Sequence, residues 1–62
     1  MLKYINDVIL GTFLVDNEIS LKEIAKILKV RKATIRKWLC GKTIPYKHQI
    51  KINELMKERG QW

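Results

Sequence analysis

Three long cationic side chains stand close together near the middle of the chain. Lys32, Arg36 and Lys37 recur at helical spacing, with small Ala33 among them. On a helix these four share one side, while Ile35 and Trp38 turn to the other. The chemistry such a side can do is to donate hydrogen bonds to anions. Lysine and arginine carry positive charge and only donors, and arginine presents a planar fork of them. The neighbouring sequence extends the theme. Ten basic residues lie between Leu21 and Lys51 against the single acid Glu23, a net charge of +9, and the remainder of the chain nets −2. A surface built only for solubility mixes its signs. Segregation of this kind points to an anionic partner, with nucleic acid ahead of an anionic membrane surface.

Other chemistries are poorly supplied. The chain has one histidine and one cysteine. That excludes an internal disulfide and a structural zinc site made of Cys and His alone. Paired carboxylates, a nucleophile with its base, and a phosphate-binding loop are all missing from the pattern, so no enzymatic activity, metal or cofactor is expected. Cys40 has no base near it in sequence and reads as a helix-end residue. The longest run without a charge is the eight residues from Val8 to Val15, far short of the ~20 that a membrane span needs. With no signal-peptide pattern at the N-terminus, the expected compartment is a reducing cytoplasm.

The elements that must position the basic cluster are short. The chain has 62 residues, enough for one domain, 1–62, with no room for a second core or a small-molecule effector domain. There is no sustained period-two pattern, so the expected class is all-α. A first helix is expected from about Leu2 to Val15, with Leu2, Ile5, Val8, Ile9 and Phe13 on its inner face and Leu10 and Leu14 off it. Asp16, Asn17 and Glu18 read as the following turn. The second helix has the clearest start. Ser20 caps it, Glu23 completes a capping box, and Ile19 and Ile24 form the matching hydrophobic staple. Ile24, Ala25, Ile27 and Leu28 give its buried stripe. A third helix should run from about Lys32 to Leu39 or Cys40, where Gly41 suits a left-handed stop. Lys42 to Pro45 is a loop. A fourth helix should run from Pro45 or Tyr46 to about Glu58, with Ile52, Leu55 and Met56 on one stripe and Tyr46, Ile50 and Asn53 on another. Four helices are expected, with length for a fifth short one.

The segment LKEIAKILKVRKATIRKWLC, from Leu21 to Cys40, has a more specific pattern than a generic helical hairpin. Small Ala25 lies where the two helices must approach, and Ile24, Leu28, Val30, Ile35 and Trp38 fall at the positions that bury the pair. This resembles the DNA-binding helix-turn-helix of the phage Cro and repressor family, with the motif at about 20–40. The likeness is close from Ile19 to Pro45, including the trailing Gly41-Lys42. The chain departs from the family pattern at four places. Lys29 replaces the usual turn glycine, at roughly 1 kcal/mol. Arg31 replaces a serine cap and adds charge. Leu21 replaces a glutamine that would touch the DNA backbone. Leu39 stands where a polar residue is common.

The resemblance implies a regulator of transcription that binds double-stranded DNA, of phage, plasmid or mobile-element type, most simply a repressor. Its second motif helix would enter the major groove. Lys32, Ala33, Arg36 and Lys37 would then meet base edges, the cations donating to guanine O6 and N7 and Ala33 touching a thymine methyl. Phosphate contacts would come from the second helix's N-terminus at Ser20, Leu21 and Lys22, from Arg31, and from Lys42, Thr43 and Lys47 beyond the recognition helix. Lys26, Lys29 and Lys51 read as solvated charges, Trp38 as core, and His48 as a surface residue. Leu10, Leu14, Tyr46, Ile50 and Trp62 are apolar residues left over by this scheme, so a weak homodimer is expected, built on the last helix and the C-terminal tail. The alternative reading is a protein-interaction module, an anti-repressor or assembly protein on the same fold, which would not need Lys32, Arg36 and Lys37.

Overall fold

The computed structural model describes residues 2–60, which form α1 (Asp7–Asp16), α2 (Leu21–Leu28), α3 (Lys32–Leu39) and α4 (Tyr46–Glu58), with no strand among them. The all-α class and the bounds of α2, α3 and α4 match the sequence reading. Ser20 caps α2 as expected, its Oγ accepting from the Glu23 N–H at 3.1 Å. Among the described residues the reverse bond of a capping box, from the Ser20 N–H to the Glu23 carboxylate, is not made. The staple pair Ile19 and Ile24 are both buried.

The first three helices stop in one common way. Glu18, Lys29 and Gly41 have φ of 53°, 57° and 110°. At each, the N–H just beyond reaches back five residues to a carbonyl: Ile19 to Leu14 at 2.9 Å, Val30 to Ala25 at 3.0 Å, and Lys42 to Lys37 at 3.1 Å. The left-handed residue's own N–H bonds the carbonyl three back, giving the Schellman geometry at all three ends. Only Gly41 announces this in its residue type.

The first helix requires a correction. It begins at Asp7, not near Leu2. Asn6 caps it, with Oδ1 accepting from the Ile9 N–H at 2.8 Å, and Asp7 sits in the first turn, where a negative charge suits the helix dipole. The residues before Asn6 are held by two buried amides of α4. The Lys3 N–H donates to Asn53 Oδ1 at 2.9 Å, and Asn53 Nδ2 donates back to the Lys3 carbonyl at 2.8 Å. The Ile5 N–H donates to Gln49 Oε1 at 2.7 Å, and Gln49 Nε2 donates back to the Ile5 carbonyl at 2.8 Å. Alternate residues facing one way is the pattern of an extended chain. The fit is metric: residues two apart in such a chain lie about 6.6 Å apart, and residues four apart on a helix rise about 6 Å.

Taking Leu2 and Ile5 off the helix turns its inner face. Leu10, Phe13 and Leu14 are buried, Ile9 is half-buried and Val8 is exposed. Leu10 and Leu14, expected off the core, are therefore part of it, and they leave the set of residues offered for a dimer. Ile50 is half-buried, Tyr46 is exposed, and Trp62 lies outside the described residues. Phe13, Ile5, Leu10, Ile24, Ile35 and Ile52 are the largest fully enclosed side chains. They gather where α3 packs on α1 and α2, and α4 packs on α2. Ile44, from the loop before α4, completes this cluster.

Gln49→Ala strips the buried Ile5 N–H and carbonyl of their partners. Each orphaned group costs about 1–3 kcal/mol, against a total stability of about 3–9 kcal/mol for a chain this size. Urea unfolding should show a loss of about 2–4 kcal/mol, with a smaller loss for Asn53→Ala, because Lys3 is exposed to water. An unchanged midpoint in Gln49→Ala would mean that the clamp contributes nothing.

Candidate nucleic-acid interface

The eight residues of α3 divide cleanly by burial. Ile35 and Trp38 are buried, Thr34 and Leu39 are half-buried, and Lys32, Ala33, Arg36 and Lys37 are all exposed. Packing enforces this split, because α3 touches α1 on one flank and α2 on another, leaving one side for solvent. Where α1 passes, Gly11 lies against Leu39; a Cβ added there would meet Leu39 Cδ2 at 3.7 Å. The α2–α3 junction turns on Lys29 and runs through exposed Arg31, whose carbonyl accepts from the Thr34 N–H at 2.9 Å. No side chain caps α3, so the N–H groups of Lys32 and Ala33 make no hydrogen bond with any described residue, at the positive end of the helix dipole.

The peripheral candidates sort into three groups. Ser20 and Lys22 are exposed at the start of α2, although the Ser20 Oγ is engaged by Glu23. Leu21 is half-buried against the core, so at most its backbone is available. Lys42 and Thr43 are exposed in the loop just past the Gly41 stop, on the chain that leaves α3. Lys47 is exposed in the first turn of α4, and it belongs to a feature the sequence reading missed. With Lys29, His48 and Lys51 it lines a shallow hollow of about 390 Å³ over Ile27 and Leu28, between the end of α2 and the start of α4. Lys29 and Lys51, which the sequence presents as solvated charges, therefore share a basic concavity. The signal in sequence was the one-turn spacing of Lys47 and Lys51, which places both on one side of a helix.

His48 connects this hollow to the core. Its ring lies 5.2 Å from that of Trp38, tilted by 46°. Burial pushes the imidazole below its ordinary value of 6.5, and the adjacent Lys47 ammonium adds to the effect. Among the described residues, no three His, Cys, Asp or Glu side chains group so as to hold a metal ion, and no helix is long and apolar enough to cross a membrane.

The lowered value of His48 fixes a sign for pH dependence. The unfolded chain takes up the proton more readily than the folded one. The stabilising contribution is therefore fully present above pH 6.5 and is lost as pH falls from 6.5 through the folded midpoint. NMR titration of the His48 ring should give a midpoint below 6.5, and His48→Gln should lessen the loss of stability between neutral pH and pH 5. A midpoint above 6.5 would contradict the packing described.

No family model, no curated protein and no solved structure matches this chain.

Proposed function

We propose that this chain binds double-stranded DNA in a sequence-specific way and regulates transcription, most simply as a repressor that occupies an operator. The observation that carries the reading is the division of α3: Lys32, Ala33, Arg36 and Lys37 exposed together, Ile35 and Trp38 buried opposite. A helix whose outer side is cationic and small-residued, braced from behind on two helices, suits entry into a groove about 12 Å wide. Lys32 and Ala33 stand at its N-terminal end, where base edges are met in helix-turn-helix docking. Arg36 and Lys37 extend the contact along the groove. Lys22, Arg31, Lys42, Thr43 and Lys47, with the backbone at Ser20 and Leu21, act as phosphate positioners around it. Chemistry on a substrate has no part in this reading. The Cro-like pattern favours a regulator of phage, plasmid or mobile-element type.

The reading includes a second copy. The longest extent of the chain is 27 Å, shorter than the ~34 Å that separates half-sites one helical turn apart. One copy therefore reads one half-site, and an inverted repeat requires two.

Selection of bound duplexes from random DNA would give the preferred site. On that site, log K should fall linearly with log salt, by ~0.9 per phosphate neutralised, giving a slope of about −3 to −6 per subunit. A flat response would remove nucleic acid as the partner. Lys32→Ala and Arg36→Ala should each cost ~1–3 kcal/mol on the selected site and relax the base preference. Lys42→Ala should weaken selected and random duplexes alike. If all three act equally on both duplexes, the assignment of base readers is wrong.

A further inference from the structure

We propose that the extended segment 2–6 is a dimerisation edge, pairing in antiparallel fashion with the same segment of a second copy, centred on Tyr4. This names a surface for the two-copy reading above, and its test uses no DNA, so it can fail while DNA binding stands.

The segment is satisfied on one side only. Lys3 and Ile5 turn both their N–H and their C=O groups toward Asn53 and Gln49. In an extended chain the intervening residue turns its pair the opposite way. The Tyr4 N–H and carbonyl make no hydrogen bond with any described residue. The result is a short extended segment with one side occupied by side-chain amides and the other open, which is a template for another extended chain.

The side chains around the open edge are apolar. Tyr4 is 63% exposed, Leu2 42% and Tyr46 70%, and they border a hollow of about 180 Å³ together with Lys3 and Gln49. These are among the largest apolar side chains the fold leaves in water, and Tyr46 joins the other two because the clamp lays the segment along the start of α4.

Charge selects a second copy as the occupant. Two chains of net charge +7 repel, but the charge is not uniform. Residues 1–20 carry Lys3 against Asp7, Asp16 and Glu18, a net −2, whereas the rest of the chain nets +9. The N-terminal region is where two copies can meet without opposing cationic fields, and the segment 2–6 within it holds none of the residues assigned to DNA. The edge is also its own complement. In an antiparallel pair with a two-fold axis at Tyr4, each Tyr4 N–H donates to the other Tyr4 carbonyl, an isologous contact. Leu2 then lies across from Asn6 of the second copy, and the tyrosines of both chains cover the joint.

Proline at position 4 removes the outward N–H while keeping the preceding residue extended, so the inner bonds of Lys3 and Ile5 survive. Sedimentation equilibrium of the full chain, at the concentrations used for NMR, should show a monomer–dimer equilibrium. Tyr4→Pro should weaken it at least about tenfold with helical circular dichroism unchanged, and Tyr4→Phe should leave it intact. A second measurement does not depend on the proline variant folding. Residues opposed in such a pair have Cα atoms about 5.5 Å apart, within disulfide range. In a Cys40→Ser background, Tyr4→Cys should therefore form a disulfide-linked dimer on mild oxidation, and Val15→Cys, exposed on α1, should not. A wild-type chain that stays monomeric, a dimer undisturbed by Tyr4→Pro, or a linkage at residue 15 in preference to residue 4 would overturn the proposal.

Discussion

Helices of eight residues do not persist alone in water, and α2 and α3 are both that length. Their stability must come from a core they share, and they share one only if the chain reverses within two or three residues. The left-handed stop meets that constraint. It ends α1, α2 and α3 at Glu18, Lys29 and Gly41, and each time the next N–H closes on a carbonyl five residues back. Glu18 and Lys29 each carry a conformational cost of about 1–2 kcal/mol, because a Cβ crowds the backbone there. At Glu18 the stop brings Ile19 and Leu14 into the same buried cluster, and at Lys29 it packs half-buried Val30 against the cluster that holds Ala25, which offsets the cost. Without these reversals α2 and α3 cannot bury Ile24 and Ile35 in one cluster.

Much of this was legible because several independent signals agreed. Ser20, the Ile19 and Ile24 staple, the small Ala25, Gly41 and Pro45 all mark the same boundaries, and α2 to α4 fall there. The N-terminal region misled for a physical reason. Leu2, Ile5, Val8 and Ile9 are spaced as on a helix, yet the first two belong to an extended chain. The true start was written in Asn6 and Asp7, an acceptor cap followed by an acid, but the apolar period ran through them. A start at Leu2 also shifts the helical phase, so Leu10 and Leu14 fall off the inner face that they in fact line. The reason the chain is extended lies more than forty residues away, in Gln49 and Asn53. Buried amides defy a reading based on hydropathy, since nothing local says which polar side chain on a helix will turn inward.

The candidate interface shows the same contrast. Which side of α3 faces solvent follows from the spacing of Ile35 and Trp38, so the exposure of Lys32, Ala33, Arg36 and Lys37 was visible in advance. The hollow that gathers Lys29, Lys47, His48 and Lys51 was not, because it joins the end of one helix to the start of another that is nearly twenty residues later. Local periodicity sorts residues around a helix axis. It carries no information on how two helix ends are juxtaposed, and concave features arise at such junctions.

The clamp on the N-terminal segment has a consequence for tolerance to change. Gln49 and Asn53 grip main-chain atoms, which every residue type shares apart from the missing N–H of proline. At position 3, where the side chain is exposed, a saturation library should therefore be permissive, with proline the clear exclusion. At position 5 the same grip operates, but Ile5 is fully enclosed and only apolar side chains of similar volume would survive. The selective pressure thus falls on the two amides that hold the segment and on one of the residues held. Descendants of this chain could drift freely at one clamped position and stay fixed at the other, although the hydrogen bonds at both are the same.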